Sequence, residues 1–118
     1  MKRITIKAGD HLYYEGDEAQ HAFLLLEGEI AFFQGREHVL DAKRGHFFGD
    51  MKIFKEGEYP ATAVATSDSV LLRFTGEELL DHLLESRENL KAYLIDVEDR
   101  VEGVVGLLMR ARARSAKR

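Results

Sequence analysis

The sequence predicts a mainly β fold, a jelly-roll-like β-roll (a double-stranded β-helix), followed by two α-helices. Short apolar runs separated by glycine turns recur between residues 4 and 75, a pattern typical of sandwiches and rolls. From residue 76 onward the apolar spacing changes to three and four residues, the helical period. A chain of 118 residues has the length of a single domain, so we expect one domain over 1–118.

The predicted strands are bounded by recognisable turns. An alternating segment at Ile4–Ile6 opens the roll, and an apolar run at Ala22–Leu26 follows. The run Ile30–Phe33 leads into the hairpin-like turn Gln34–Glu37. A last apolar run ends at Phe74, and we therefore place the whole roll within residues 4–75.

Two helices are predicted after the roll, a short one over residues 76–86 and a long one over residues 87–112. Thr75 or Gly76 is a possible capping residue, because acidic residues follow it where they complement the helix dipole. The apolar face of the short helix is formed by Leu79, Leu80, Leu83 and Leu84. Residues 113–118 are predicted to be a basic tail.

The long predicted helix carries an apolar stripe whose spacing alternates between four and three residues, as in a coiled-coil seam. The stripe consists of Leu90, Leu94, Val97, Val101, Val104 and Leu108. An amphipathic helix usually packs on its own domain, but this one is long enough to serve a partner as well. We therefore expect a homodimer joined through this helix.

Composition excludes several classes of function. The chain has no cysteine, which excludes disulfides and thiolate metal sites. The net charge of −4 combines five cations in the last nine residues with a net charge of −9 elsewhere, and an acidic body argues against direct nucleic-acid binding. Without a signal peptide or an apolar stretch long enough to span a bilayer, the sequence predicts a cytoplasmic protein with no membrane partner.

Four segments together resemble a known family. Gly9–Asp17 and Phe23–Gly28 supply two glycine-acid turns and an apolar strand closed by glycine. Gly45–Asp50 and Ala61–Ala65 then supply a glycine loop and a closing strand. This arrangement resembles the cyclic-nucleotide-binding domain family, of the catabolite-activator-like type, over about residues 4–105.

The resemblance implies a regulatory role in signal transduction, with no catalytic residues and no metal. In the family, a phosphate-binding cassette holds cAMP or cGMP, and an acid in the position of Asp50 bonds the ribose hydroxyl. A glycine in this cassette lets the backbone approach the ligand, and a short helix that follows offers free N–H groups to a phosphate. The ligand-binding residues implied by the resemblance are Phe48, Gly49, Asp50, Met51, Tyr59, Pro60, Ala61 and Thr62.

The cassette departs from the family pattern at the phosphate. The family carries an arginine nine residues after the acid, where this chain has Tyr59, and Pro60 lacks an N–H to donate. Losing a bidentate guanidinium contact lowers affinity on the order of a hundredfold. We therefore predict that standard cyclic-nucleotide binding is weakened, with Tyr59 filling or covering the pocket. The domain would then sense another small ligand or present a surface to a separate effector protein.

The alternative is a cupin-type metal-dependent enzyme, since cupins are also small β-rolls and His21 precedes an apolar strand. Such an enzyme needs two or three histidines and a carboxylate that converge on one metal. The sequence has five histidines but no His-x-His pair. A haem sensor on the same fold is a further alternative, although no histidine is singled out as the ligand.

Overall fold

The computed structural model describes residues 1–116, with the exception of six side chains near the end of the chain: Val104, Leu107, Leu108, Arg114, Ser115 and Ala116. The chain divides into two compact units, Met1–His82 and a second that begins at Leu83. The strands are β1 (Lys2–Ile6), β2 (His11–Tyr13), β3 (Ala22–Glu27), β4 (Ile30–Gln34), β5 (Glu37–Ala42), β6 (Phe47–Phe48), β7 (Thr62–Ala65) and β8 (Ser69–Phe74). The helices are α1 (Gly76–Glu85) and α2 (Arg87–Ala116).

The strands form two antiparallel four-stranded sheets, which confirms the predicted β-roll. One sheet has the order β1-β8-β3-β6 and the other the order β2-β7-β4-β5. Because consecutive strands often lie in different sheets, the chain winds back and forth between the two layers. The hairpin predicted from Gln34–Glu37 joins β4 to β5.

The two sheets enclose an aromatic core. Residues that lie opposite each other in an antiparallel pair project to the same face, and the face of the first sheet that carries Leu25 and Leu71 packs into this core. Both leucines are fully buried. The aromatic members of the core cluster are Tyr13, Phe23, Phe32, Phe48 and Tyr59.

Helix α1 begins at a capping box, as the sequence suggested. The hydroxyl oxygen of Thr75 accepts a hydrogen bond from the N–H of Glu78 at 3.2 Å, and the Glu78 carboxylate accepts one from the N–H of Thr75 at 2.9 Å. Only two of the four predicted apolar positions are buried, Leu79 and Leu83. The other two residues of the predicted apolar face, Leu80 and Leu84, are exposed.

Helix α2 is longer than predicted. The expected end at residue 112 was wrong, since the helix continues to Ala116, and the expected tail is helical as far as it is described. Alanine and arginine, which dominate residues 110–116, are among the best helix formers, so nothing in that segment ends the helix. Residues 117 and 118 of the predicted tail lie outside the described residues.

The predicted stripe of α2 is largely open to solvent where it is described. Leu94 and Val101 are 51% and 55% exposed, Leu90 is exposed and Val97 is half-buried. The side chains of Val104 and Leu108 lie outside the description. Within the same helix the Arg100 guanidinium pairs with the Asp96 carboxylate at 3.0 Å. No helix among residues 1–116 combines the length and the apolar character needed to cross a membrane.

Candidate functional site

The predicted cassette begins where β6 meets β3. Phe48 lies opposite Phe23 across the sheet, and the two rings stack with centroids 5.4 Å apart. Gly49 follows with a φ of 73°, a left-handed conformation that favours glycine. A Cβ atom at Gly49 would lie 3.2 Å from the carbonyl oxygen of His21, which is closer than most Cβ contacts, so a side chain here would require a small shift of the His21 backbone.

The segment after Gly49 does not form the short helix that the family resemblance implied. Residues 51–56 form turns and bends, and therefore do not align a row of free N–H groups toward an anion. Asp50 is buried, with 3% of its surface exposed, whereas Met51 is 73% exposed. The side chain of Met51 thus points into solvent, and its role in ligand binding stays a prediction.

Tyr59 joins the cassette to the segment that precedes β3. Its ring stacks on Tyr13 with centroids 3.7 Å apart and planes inclined by 11°. Its hydroxyl donates to the carbonyl oxygen of His21 at 2.7 Å and accepts from the N–H of His21 at 3.0 Å. The Tyr59 backbone also bonds the backbones of Gly16 and Asp17. Tyr59 is 5% exposed, so its side chain is part of the interior.

The remaining predicted site residues point in different directions. Pro60 is exposed, and its carbonyl oxygen accepts a hydrogen bond from the Gln34 side-chain amide at 3.2 Å. Ala61 is buried in the core. The hydroxyl of Thr62 accepts the backbone N–H of Glu15 at 2.9 Å. These contacts make the closing half of the cassette a packing element between strands.

The cassette brings no guanidinium to the interior. The sequence contains no arginine between Arg44 and Arg73, and therefore none within residues 45–72. Lys52 and Lys55 are exposed, and the Lys52 stem lies against Gly57. A phosphate bound at this segment would thus lack the planar cation that matches two of its oxygens.

Burial and charge raise the pKa of both tyrosines in this region. The pKa of Tyr13 is raised chiefly by burial and further by the neighbouring Tyr59 and Asp50. Burial also raises the pKa of Tyr59, although its hydrogen bonds to the backbone at His21 and Gln20 oppose the shift. Both phenols therefore stay protonated at neutral pH and can donate hydrogen bonds.

A cavity of about 200 Å³ lies beside Tyr59, within the unit Met1–His82. Its buried floor is formed by the aromatic rings of Tyr13, Phe23 and Tyr59. Its half-buried wall is formed by Ile4, Leu12, His21 and Arg73, and its exposed rim by His11, Asp17, Glu18 and Gln20. Tyr59 alone among the eight predicted ligand-binding residues lines this cavity.

Sequence reasoning missed His21 and Arg73 as residues of one cavity. Arg73 could have been noticed in the sequence, because it is a charged residue inside the apolar run Val70–Phe74. The direction of its side chain, however, depends on the register between strands. The pKa of His21 is lowered by partial burial and then by the nearby charge of Arg73. The His21 ring is therefore neutral near pH 7.

The structure gives no support to the metal-dependent alternative. Within the described part of the chain, no three side chains among histidine, aspartate and glutamate lie close enough together to hold a metal ion.

Comparison with known proteins confirms the resemblance seen in the sequence. A family model described as the cyclic nucleotide-binding domain matches residues 3–86. A cAMP-dependent protein kinase regulatory subunit from Hypocrea atroviridis is 38% identical over 82 residues, which cover 70% of this chain and 18% of that protein. The cyclic AMP receptor protein from Thermus thermophilus is 35% identical over 85 residues, which cover 68% of this chain and 39% of that protein.

The fold is shared with solved structures. The crystal structure of a transcriptional regulator from Thermotoga maritima superimposes with a TM-score of 0.77 at 25% identity, over 93% of this chain and 90% of that chain. This chain spans less than half the length of the two curated relatives named above.

Proposed function

The chain belongs to the cyclic nucleotide-binding domain family, and on that premise we propose that it is a regulatory, non-catalytic module whose cassette does not hold cAMP or cGMP. The observation that carries this proposal is the placement of Tyr59. At the position where the family resemblance calls for an arginine, a phenol is buried and hydrogen-bonded to the backbone of His21.

The absence of a guanidinium from this segment lowers its affinity for a cyclic phosphate. A cyclic phosphate leaves water only where charged donors replace its hydration, and a bidentate guanidinium does this best. The segment 45–72 contains no arginine, and its two lysines are exposed. A loss on the order of a hundredfold, relative to a cassette with its arginine, follows from removing such a contact.

The output of the module is proposed to pass through α2. Leu94 and Val101 lie seven residues apart on one side of the helix and are more than half exposed. A second copy of the chain would cover them as a coiled-coil partner, and a separate effector would read the arrangement of the pair. A ligand or partner can shift that arrangement only if it binds one state of the module more tightly than another.

The ligand part of the proposal is tested by melting temperature in the presence of cAMP, cGMP and non-cyclic nucleotides at millimolar concentration. A site at about 100 times its dissociation constant gains about 2.7 kcal/mol, which moves the melting temperature by several degrees in a domain of this size. We expect the same melting temperature in every sample. A rise specific to one cyclic nucleotide would overturn the proposal.

The dimer part is tested by light scattering on a sizing column with two matched variants. Leu94→Lys adds a charge in the middle of the stripe, whereas Ala92→Lys adds the same charge at an exposed position on the other side of the helix. We expect a dimer for the parent chain and for Ala92→Lys, and a monomer for Leu94→Lys. A monomeric parent chain, or a dimer that withstands Leu94→Lys, contradicts the proposal.

A further inference from the structure

Arg73 projects to the inward face of the first sheet, where its neighbours along the strand are apolar. It lies opposite Phe23 of β3, and it stands two residues from Leu71, which lies opposite Leu25. Paired residues share a face, so the side chain of Arg73 starts from the same side as the core residues Phe23 and Leu71. The side chain is half-buried.

This inward cation has no partner in the described part of the chain: no carboxylate or carbonyl within residues 1–116 forms an ion pair or hydrogen bond with its guanidinium. Strand β8 is flanked by β1 and β3, so the charge does not protect a sheet edge from aggregation. Lys2 lies directly opposite Arg73 on β1, and like charges opposite each other are destabilising. An anion bound beside Arg73 would reduce this repulsion between like charges.

The lining of the cavity beside Arg73 is aromatic at its floor and polar on its wall. Its floor is formed by Tyr13, Phe23 and Tyr59, which are only 4–7% exposed, and it therefore offers contact to a short apolar group only. Arg73 and the ring of His21 provide polar atoms on the half-buried wall. A ligand with one anionic end and one short apolar end satisfies both parts of this lining.

The acidic side chains of the cavity rim, Asp17 and Glu18, accept hydrogen bonds from nearby N–H groups. The Asp17 carboxylate accepts the backbone N–H of Tyr14 at 3.1 Å, and the Glu18 carboxylate lies 3.5 Å from the side-chain amide nitrogen of Gln20. Both acids are exposed, so water and salt screen their charge more than they screen that of the half-buried Arg73. A ligand that also carries an ammonium group would find these acids at the cavity mouth.

We propose that this cavity binds a small organic carboxylate, whose oxygens pair with the Arg73 guanidinium and accept a hydrogen bond from the His21 ring. Its apolar body packs on the aromatic floor. The volume of about 200 Å³ corresponds to six or seven water molecules at ~30 Å³ each, which suits a compact acid and lies below the ~300 Å³ of the smallest typical drug-sized pocket. The site goes beyond the proposed function and does not depend on it.

The test is an NMR titration of the full chain, with the backbone amides of residues 11–21 followed as reporters. The probes are isobutyrate, valine, inorganic phosphate and the uncharged isobutyramide, all at constant ionic strength. We expect saturable shifts with isobutyrate or valine, at a dissociation constant on the order of 1 mM or tighter, and none with isobutyramide. Tighter binding of valine than of isobutyrate would assign its ammonium group to the acidic rim.

Variants locate the site. Arg73→Gln removes the inward charge and is expected to weaken binding tenfold or more, while Arg44→Gln, in an exposed turn, serves as the control and leaves binding unchanged. Arg73→Lys keeps the positive charge but loses the planar guanidinium. It allows a second measurement of binding should Arg73→Gln fail to fold.

Three results would overturn this site. They are equal shifts with isobutyramide, binding of phosphate without binding of either carboxylate, and carboxylate binding that survives Arg73→Gln. The absence of any saturable shift would have the same effect. None of these results bears on cyclic nucleotides, so the site and the proposed function fail or hold separately.

Discussion

The side-chain hydroxyl of Tyr59 satisfies both backbone groups of His21, donating to its carbonyl oxygen at 2.7 Å and accepting from its N–H at 3.0 Å. The two peptide groups that flank His21, just before β3, are thereby fixed by a side chain from the cassette, 38 residues later in the sequence. Since buried polar groups without partners are costly, this pair of bonds fixes the course of the chain ahead of β3.

Removing that hydroxyl should destabilise the fold. Tyr59→Phe keeps the stacking on Tyr13 but leaves two backbone groups of His21 without their partner. We expect the free energy of unfolding to fall by about 1–3 kcal/mol, measured by urea denaturation. Tyr14→Phe is the matched control, because Tyr14 is 55% exposed, and it should change stability by less than about 0.5 kcal/mol. Equal effects of the two variants would deny Tyr59 its linking role.

Restoring an arginine at Tyr59 should not restore a cyclic-nucleotide site. Tyr59→Arg places a charge among buried aromatic rings and should lower the free energy of unfolding by more than about 2 kcal/mol. Pro60→Arg puts the same charge at the exposed neighbouring position, where little loss of stability is expected. Melting curves with cAMP should show no gain for Tyr59→Arg. A gain would mean that the phenol is the only obstacle to binding.

Gly28 should be the least replaceable glycine in the roll. Its φ is 98°, and a Cβ there would lie 2.6 Å from the Cβ of Ser69 and 2.7 Å from the carbonyl oxygen of Asp68. We expect Gly28→Ala to cost about 2–5 kcal/mol, since overpacking adds ~1–3 kcal/mol to the ~1–2 kcal/mol of a left-handed alanine. Gly35→Ala, at a φ of 59° with open space around it, is the control and should cost only the smaller amount.

This comparison needs only the two denaturation curves. If Gly28→Ala were no worse than Gly35→Ala, the close approach of Gly28 to Ser69 would not be a constraint on the fold.

His21 should make stability fall on acidification. Its folded pKa is lowered by burial and by Arg73, below the unfolded value of 6.5, so the unfolded chain binds more protons as the pH falls. Its contribution to stability is full above pH 6.5 and decreases as the pH falls toward the folded pKa. Partial exposure screens the effect and keeps it modest. Urea midpoints between pH 5 and 8 should therefore fall less for His21→Asn than for the parent chain.

Arg73→Gln should reduce the same pH dependence, because the second cause of the His21 shift is removed. Identical pH profiles for the parent chain and His21→Asn would mean that the histidine senses neither burial nor Arg73.

Much of the architecture could be predicted from local patterns. Glycine turns and short apolar runs predicted the roll. Thr75 or Gly76 followed by acidic residues predicted the start of α1, and the structure shows that Thr75 and Glu78 form the capping box. The end of α2 was misplaced, since the change to a basic composition was interpreted as a tail although alanine and arginine sustain a helix. The set of ligand-binding residues implied by the resemblance stays a prediction, and two of its members, Met51 and Pro60, face solvent.

The sequence by itself determined the fold family and the absence of an arginine from residues 45–72, because both depend on residue types and their spacing. Only the tertiary structure decided that Tyr59 enters the core and that Arg73 and His21 line one cavity. Side-chain direction in a roll follows from the register between strands that are distant in sequence, such as β3 and β8. A shift of one residue in that register would have turned Arg73 to the opposite face of the sheet.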